Sequence, residues 1–308
     1  MGTSSPGQHL TQYVAPQLLQ EFRNYKDDFI GVIPGAPKKA ISADGLRYNK
    51  LINNVGFYVN NVTAFNPQKM NGEKVIVPWE WYDTDPTEVD DDEIRALPYD
   101  KRAEVRVKHT EAFKIGIRDH TMWKLCPEDS DNPNMPVMRT TGNNDGTGRK
   151  RCTFRDVVEY LEMVKDLNLP LVDQLNLILN AKHSTDLILD RDAAPYFSNK
   201  EIFFDVRTGK VKSVMGFKFF DNNAAPLFDA DGNKKPKGSV KIAGDQYAST
   251  FFYAPNAVYH LDSVKILYKD EHTDTRNAHP TSEFRTQTYG LVDRVVDYGF
   301  GAIVSGNS

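Results

Sequence analysis

The stretch TFRDVVEYLEMVKDLNLPLVDQLNLILNAKHSTDLILD, residues 153–190, decides the fold class because it joins two helices through a strand. Thr153 and Asp156 have the spacing of a helix N-terminal cap, and an apolar stripe continues to Leu167 before Pro170. The run QLNLILN that follows predicts a buried strand, and a short helix is expected over residues 183–189. This helix–strand–helix order predicts an α+β domain in the middle of the chain.

A second helix is predicted upstream, in PYDKRAEVRVKHTEAFKIGIRDHTMWKL, residues 98–125. Pro98 and Pro127 bracket it. At 1.5 Å per residue, a helix of about 26 residues spans roughly 40 Å. That length is unusual for a compact domain and indicates a spine along which other elements pack.

Between residues 79 and 94 the chain reads WEWYDTDPTEVDDDEI, the most biased composition of the sequence. No basic residue occurs from Trp81 to Glu93. Its acidic residues are Asp83, Asp85, Glu88, Asp90, Asp91, Asp92 and Glu93. Because carboxylates cannot be buried without neutralisation, we expect a solvated, projecting hairpin or one that docks against positive charge, with Trp79 and Trp81 at its base.

The two ends of the chain differ in residue composition. The first 53 residues, rich in Pro and Gly after a possible short helix, indicate an extended arm. After residue 209 the sequence is β-rich: strands are predicted in VKSVMGFKFFDNN, QYASTFFYAP, SVKILYKDE and the C-terminal EFRTQTYGLVDRVVDYGFGAIVS. The segment GNKKPKGSVKIAG, residues 232–244, has four lysines and no acid and is expected to be a loop or the tip of a hairpin.

Composition narrows the function classes. The chain has 308 residues and a net charge of −4, which argues against a protein that grips nucleic acid through a basic face. Cys126 and Cys152 provide no disulfide framework, and the N-terminus lacks the pattern of a secretory signal, so a reduced, cytoplasmic setting is expected. A mean hydropathy of −0.54 contrasts with 17 Phe, 14 Tyr and 3 Trp.

No segment predicts catalysis, a metal site or a cofactor. The consecutive Asp90, Asp91 and Asp92 point in different directions, which is poor geometry for Ca²⁺, and DADGNKK at Asp229 is better explained as a β-turn. The segment GNNDGTGRK lacks the GK[ST] spacing of a phosphate loop.

The histidines give no stronger signal. His109 and His120 share a face of the long helix, with no acid or thiol at useful spacing, so we expect packing histidines. Asp186, three residues after His183, is expected to make a local polar contact.

The order of elements resembles the major capsid proteins of tailed bacteriophages, whose fold is named after phage Hong Kong 97, and among them those of phages infecting Bacteroidetes. The likeness lies in residues 99–127, similar to the spine helix, in residues 153–190, similar to the start of the axial domain, and in the later strands VKSVMGFKFFDNN and VDYGFGAIVS. The resemblance implies the following division: arm 1–53, extended loop (E-loop) region 54–97, peripheral domain 98–152, axial domain 153–260 and C-terminal strands 261–308.

This resemblance implies a subunit that self-assembles into the hexamers and pentamers of an icosahedral shell around double-stranded DNA, without enzymatic activity or sequence-specific DNA binding. The implied location is the virion, assembled in the host cytoplasm without a membrane. Portal and decoration proteins are implied partners, and the early start of the spine helix implies a separate scaffold protein or none.

A shell subunit completes its burial on its neighbours, which would reconcile the polar average with the many aromatic residues. The residues expected at intersubunit contacts are Trp79, Trp81, Asp83, Asp85, Glu88, Asp90, Asp91, Asp92, Glu93, Arg149, Lys150, Arg151, Lys234 and Lys235. The nearest alternative is an encapsulin-like nanocompartment that encloses a cargo enzyme. A more distant alternative is a β-rich carbohydrate-processing enzyme.

Overall fold

The computed structural model describes residues 28–51, 59–60, 72–90, 101–170, 172–190, 216–262, 264–269 and 281–307. The α-helices are α1 (Lys101–Leu125), α2 (Phe154–Asp166) and α3 (Ala181–Leu189). The strands are β1 (Ile41–Ser42), β2 (Gly45–Leu51), β3 (Gly72–Pro78), β4 (Glu80–Asp83), β5 (Thr87–Asp90), β6 (Val137–Arg139), β7 (Arg149–Lys150), β8 (Leu175–Leu179), β9 (Phe217–Asp221), β10 (Leu227–Phe228), β11 (Gln246–Tyr253), β12 (Ala257–Leu261), β13 (Lys265–Lys269), β14 (Thr281–Arg294), β15 (Phe300–Val304) and β16 (Gly306–Asn307).

The three helices predicted after residue 97 are confirmed. The long helix α1 ends at Leu125 as expected, while its expected start at Pro98 lies outside the described residues. Helix α2 begins with a reciprocal capping box between Thr153 and Asp156. Helix α3 begins two residues earlier than predicted because the Asn180 side chain accepts a hydrogen bond from the backbone N–H of His183 and caps it there.

A six-stranded sheet organises the middle and the end of the chain, in the order β6-β15-β11-β8-β9, with β10 beside β11. Strand β8 is the predicted buried run, and all five of its residues are buried. The apolar face of α2 covers this sheet, where Tyr160 packs against Phe217 and Phe251. This layer confirms the α+β domain expected from residues 153–190.

A second sheet is built around the 14-residue strand β14, which pairs with β12, β13, β4 and β5. Buried and half-buried residues alternate along β14 from Thr281 to Gly290, as expected for a strand with one covered face. Helix α1 supplies that cover: Phe113 and Ile117 share one core with Phe284 and Val292.

The structure describes the N-terminal region from residue 28 onwards. Residues Asp28–Val32 form a 3-10 helix, and Phe29 and Ile30 are fully buried in the core beneath α1. Strands β2 and β3 then form an antiparallel ribbon that begins at Gly45, so it crosses the boundary expected between residues 53 and 54. The short helix expected around residues 16–25 lies outside the described residues.

Candidate functional site

The acidic stretch is the most distinctive surface feature, and its conformation differs from the expected projecting hairpin. Strands β4 and β5 both pair with β14, for example Tyr82 with Thr288 and Glu88 with Glu283. Side chains alternate along this segment, so Trp81, Asp83 and Asp85 are exposed while the residues between them are half-buried. Because alternation sends these carboxylates to solvent, the segment can join a sheet without burying unpaired charge.

Asp91, Asp92 and Glu93 lie outside the described residues, and Asp90 is described only as a strand residue paired with Thr281. Here we call β4, β5 and the residues between them, 80–90, the acidic strand pair.

His109 binds the acidic strand pair to the long helix. Its Nδ1 lies 2.7 Å from the Thr84 hydroxyl and its Nε2 lies 2.8 Å from the Thr87 hydroxyl. The ring also packs edge-on against Phe284, at 4.8 Å between centroids. Burial lowers the pKa of His109, so the ring stays neutral and donates through one nitrogen while it accepts through the other. The predicted packing role is therefore confirmed, with two hydrogen bonds added.

His120 has an acidic partner that the sequence reasoning missed. Its Nε2 lies 2.7 Å from the Glu80 carboxylate, which also accepts from Lys124 at 2.9 Å and from the Tyr82 hydroxyl at 3.0 Å. Burial by itself raises the pKa of Glu80, but the hydrogen bonds and charges of His120 and Lys124 outweigh it and lower the pKa to about 2. The Glu80 carboxylate therefore stays ionised and holds β4 against the last turns of α1.

A groove of roughly 800 Å³ runs between α1 and the acidic strand pair. Gly116 lies in its wall, and a Cβ placed there would meet no other atom within 4 Å. A mid-helix glycine costs about 1 kcal/mol relative to alanine, so this position leaves open space at the expense of helix stability. Asp83 and Asp85 line the groove together with Lys237.

The basic residues expected to meet the acidic stretch are mostly occupied within their own subunit. Arg149 is 4% exposed, and its guanidinium donates to Asp186 at 2.6 and 3.0 Å and to Asp145 at 2.8 Å. The position of Arg149 therefore does not fit a contact with another subunit. The expectation of a local contact for Asp186 is also wrong, because its partner lies 37 residues away along the chain.

Lys234 and Lys235 are also held internally. The Lys234 ammonium donates to the carbonyls of Trp123 and Cys126, at 3.1 and 2.8 Å, and lies 4.3 Å from the centre of the Trp123 ring. It thereby caps the C-terminal end of α1, where a positive charge is stabilised by the negative end of the helix dipole. Lys235 donates to Asp245 at 2.6 Å.

Lys150 and Arg151 remain the accessible cations of the predicted set. Both are half-buried, and the Arg151 side chain is 40% exposed, with its Nη1 3.5 Å from Asp186. The two tryptophans also differ in position. The Trp79 indole donates to the Ser42 carbonyl at 3.0 Å, whereas Trp81 is 67% exposed on the outer face of the sheet.

The loop of residues 236–244 is a second surface that the sequence reasoning identified only as basic. Val240 is 82% exposed and Ile242 is 62% exposed, and Lys237 and Lys241 are exposed beside them. The available signal was the alternation of lysines with β-branched residues in KGSVKI.

The described part of the chain contains no cluster of three or more His, Cys, Asp or Glu residues suited to a metal ion. The DADGNKK segment is a turn, as predicted, with the Gly232 N–H donating to the Asp229 carbonyl at 3.3 Å. Among the described residues, no helix is long and apolar enough to cross a membrane.

Comparison with known proteins finds similarity only at the level of structure. No protein-family model matches the sequence, and no curated protein matches it. The capsid of Ralstonia phage GP4 matches with a TM-score of 0.60 at 10% identity, over 90% of this chain and 87% of that one. The capsid of cyanophage P-SCSP1u matches with a TM-score of 0.59 at 13% identity, over 87% and 85%.

A virus-like particle from Pyrococcus furiosus also matches, with a TM-score of 0.51 at 10% identity, over 94% of this chain and 97% of that one. These similarities show that the chain has the fold of phage capsid subunits.

Proposed function

We propose that this chain is the major capsid protein of a tailed bacteriophage and builds an icosahedral shell of hexamers and pentamers around double-stranded DNA. The observation that carries the proposal is the reciprocal coverage of the structural matches. Phage capsid subunits match the described fold over 85% or more of both chains, so neither side has a large unmatched domain. The proposed role is structural rather than enzymatic, and its location is the virion, assembled in the cytoplasm of the host.

The surface chemistry supports self-association. Trp81 is a large aromatic side chain left mostly exposed on a sheet face, and the exposed carboxylates of Asp83 and Glu88 follow it along the same strand pair. Aromatic residues are enriched at protein interfaces, and charge complementarity determines which surfaces meet. We propose that this face contacts a neighbouring subunit, with Lys150 and Arg151 among the candidate cations.

Several finer points belong to the same proposal. The packaged DNA is contacted without sequence specificity, in keeping with the net charge of −4. Portal, decoration and separate scaffold proteins are the proposed partners. The closer resemblance to phages of Bacteroidetes, and the division into arm, E-loop, peripheral and axial domains, stay predictions.

A second candidate function is a nanocompartment that encloses protein cargo. The observation behind it is the match to a virus-like particle from Pyrococcus furiosus, which is a particle not described as a phage capsid and which matches over 94% of this chain and 97% of that one. Its TM-score of 0.51 is lower than the 0.60 of the phage GP4 capsid, so the phage shell remains the main proposal.

Expression of the full chain followed by size-exclusion chromatography and electron microscopy tests the proposal. Hollow or filled icosahedral particles of megadalton size are the expected result, and a stable 34.9 kDa monomer would contradict both candidate functions. Nuclease-protected double-stranded DNA in particles purified from infected cells distinguishes a phage shell from a compartment that holds a cargo protein.

A further inference from the structure

The loop of residues 236–244 presents an apolar and basic surface, and hydrogen bonds to buried groups hold its backbone in place. The buried carboxylate of Asp245 accepts from the Ile242 backbone N–H at 2.9 Å and from Lys235 at 2.6 Å. Ser239 donates to the Pro236 carbonyl at 2.7 Å. A loop with so many internal hydrogen bonds loses little conformational entropy when it binds, so it is organised in advance for contact.

Exposed lysines lie on and beside this loop: Lys237 and Lys241 belong to it, and Lys182 stands at the start of α3. Lys241 donates to Gln246 at 3.1 Å. Burial, together with the charges of Lys182 and Arg149, lowers the pKa of Lys241, while Asp145 and Asp245 act in the opposite direction. Because Asp145 is already paired with Arg149 and Asp245 with Lys235, the Lys241 ammonium can still pair with a carboxylate from outside the subunit.

The exposed apolar residues indicate the class of that partner. Val240 and Ile242, at 82% and 62% exposure, flank Lys241. A nucleic acid backbone offers phosphate but little apolar surface, so a purely electrostatic DNA contact would have no use for two exposed β-branched side chains. Their presence favours a protein partner with both carboxylates and an exposed apolar group.

The acidic strand pair of this chain has that combination. Trp81 is 67% exposed, Asp83 and Asp85 are exposed on the same segment, and Glu88 is exposed six residues further along β14. Among the described residues, none of these three carboxylates lies within ion-pair distance of a lysine or arginine nitrogen of its own subunit. The loop thus offers exposed lysines and the acidic strand pair offers exposed carboxylates, and each surface leaves apolar area uncovered. Two lysines share the sheet face with these carboxylates, and both are engaged there: Lys269 pairs with Glu283, and Lys265 lies 5.3 Å from the centre of the Tyr289 ring.

We infer that the 236–244 loop of one subunit docks on the acidic strand pair of a second copy of this chain. In this contact Val240 and Ile242 cover the Trp81 indole, while Lys241 and Lys182 meet the carboxylates of Asp83 and Glu88. The inference rests on the proposed shell function and names two surfaces that meet within the shell.

Cysteine pairing tests the contact directly. Chains carrying Asp83→Cys and chains carrying Lys241→Cys, each with a different tag, are co-expressed, and the purified particles are oxidised. The native Cys126 and Cys152 are both buried, and burial raises the pKa of the Cys126 thiol to about 12, so they stay unreactive. The expected result is a covalent dimer that carries both tags on a non-reducing gel.

Two negative outcomes are distinguishable. Particles of normal size without the mixed dimer overturn the docking contact and leave the shell function standing. If the wild-type chain forms no particles, the shell function fails and the docking contact fails with it.

Charge exchange provides an independent test in a single chain. Reversing Asp83 and Glu88 to lysine is expected to reduce particle yield on the order of tenfold, because like charges then face each other. Adding Lys182→Glu and Lys241→Glu to that chain restores the attraction and should restore the yield. The control is Glu162→Lys on the exposed side of α2, which should leave the yield unchanged, and circular dichroism verifies that every variant is folded. If the chain with all four substitutions is folded but its particle yield stays low, the docking contact is contradicted.

Discussion

Replacing Asp186 with alanine removes the centre of a buried ionic cluster, and its cost follows from the structure. The Asp186 carboxylate, with a side chain 2% exposed, accepts two hydrogen bonds from Arg149 and a third from the Cys152 backbone N–H at 3.0 Å. Without it, Arg149 keeps a buried charge with only Asp145 as partner, and the Cys152 N–H loses its acceptor. Removing one partner of a buried ion pair costs about 3–5 kcal/mol.

Urea unfolding of unassembled subunits, followed by near-ultraviolet circular dichroism, measures this loss. With a urea dependence of about 2 kcal/mol per molar, a loss of 4 kcal/mol shifts the midpoint down by roughly 2 M. Arg155→Ala is the matched control, because Arg155 forms an ion pair with Glu159 while its side chain is 84% exposed, and its loss should cost less than about 0.5 kcal/mol. If Asp186→Ala costs no more than Arg155→Ala, the reasoning about the buried cluster is refuted.

Three further predictions concern other buried contacts. Burial lowers the pKa of His183 from 6.5 to about 4. Between these two values the unfolded chain binds a proton that the folded chain does not. The stability that the neutral His183 contributes is therefore complete above pH 6.5 and is lost as the pH falls towards 4. Urea midpoints should show a loss of about 1 kcal/mol between pH 7.5 and pH 5.5, and a smaller loss in His183→Gln. Glu80→Gln weakens the charge-assisted hydrogen bonds from His120 and Lys124 by about 1–2 kcal/mol. The expected result is faster hydrogen exchange of the β4 amides, and unchanged exchange would count against the role given to Glu80. Gly301→Ala places a Cβ against the Tyr160 hydroxyl and should lower the free energy of unfolding, measured in urea, by about 1–3 kcal/mol. A free energy equal to that of the wild type would show that Tyr160 can move to make room for the methyl group.

The elements with strong local signals were predictable from the sequence. A cap and an apolar stripe within 13 residues predict helix α2, and a short apolar run bounded by polar residues predicts β8. In each case the residues that form the signal lie close together along the chain. The order of these elements was enough to indicate the fold class and the resemblance to phage capsid subunits.

The candidate site was predictable only in part. The acidic segment was identified correctly as a distinctive surface, but its seven carboxylates concealed the alternation of exposed and half-buried residues that makes it a strand pair. Its partner β14 lies about 200 residues further along the chain, and no local pattern identifies such a partner. The contact between Glu80 and His120 has a similar explanation, because these residues are 40 positions apart and no local pattern connects them.

The sequence by itself determined which segments become helices and strands, because capping, periodicity and turn residues act between neighbours in the chain. It also determined that the surface carries one acidic and one basic segment. Only the tertiary structure decided which charges remain available. It placed Arg149, Lys234 and Lys235 in internal ion pairs, that of Lys234 with Glu128, and left Lys241 and Asp83 exposed. The reason is physical: a buried charge must find a partner, and that partner is whichever group the fold brings within about 3 Å, regardless of its distance along the chain.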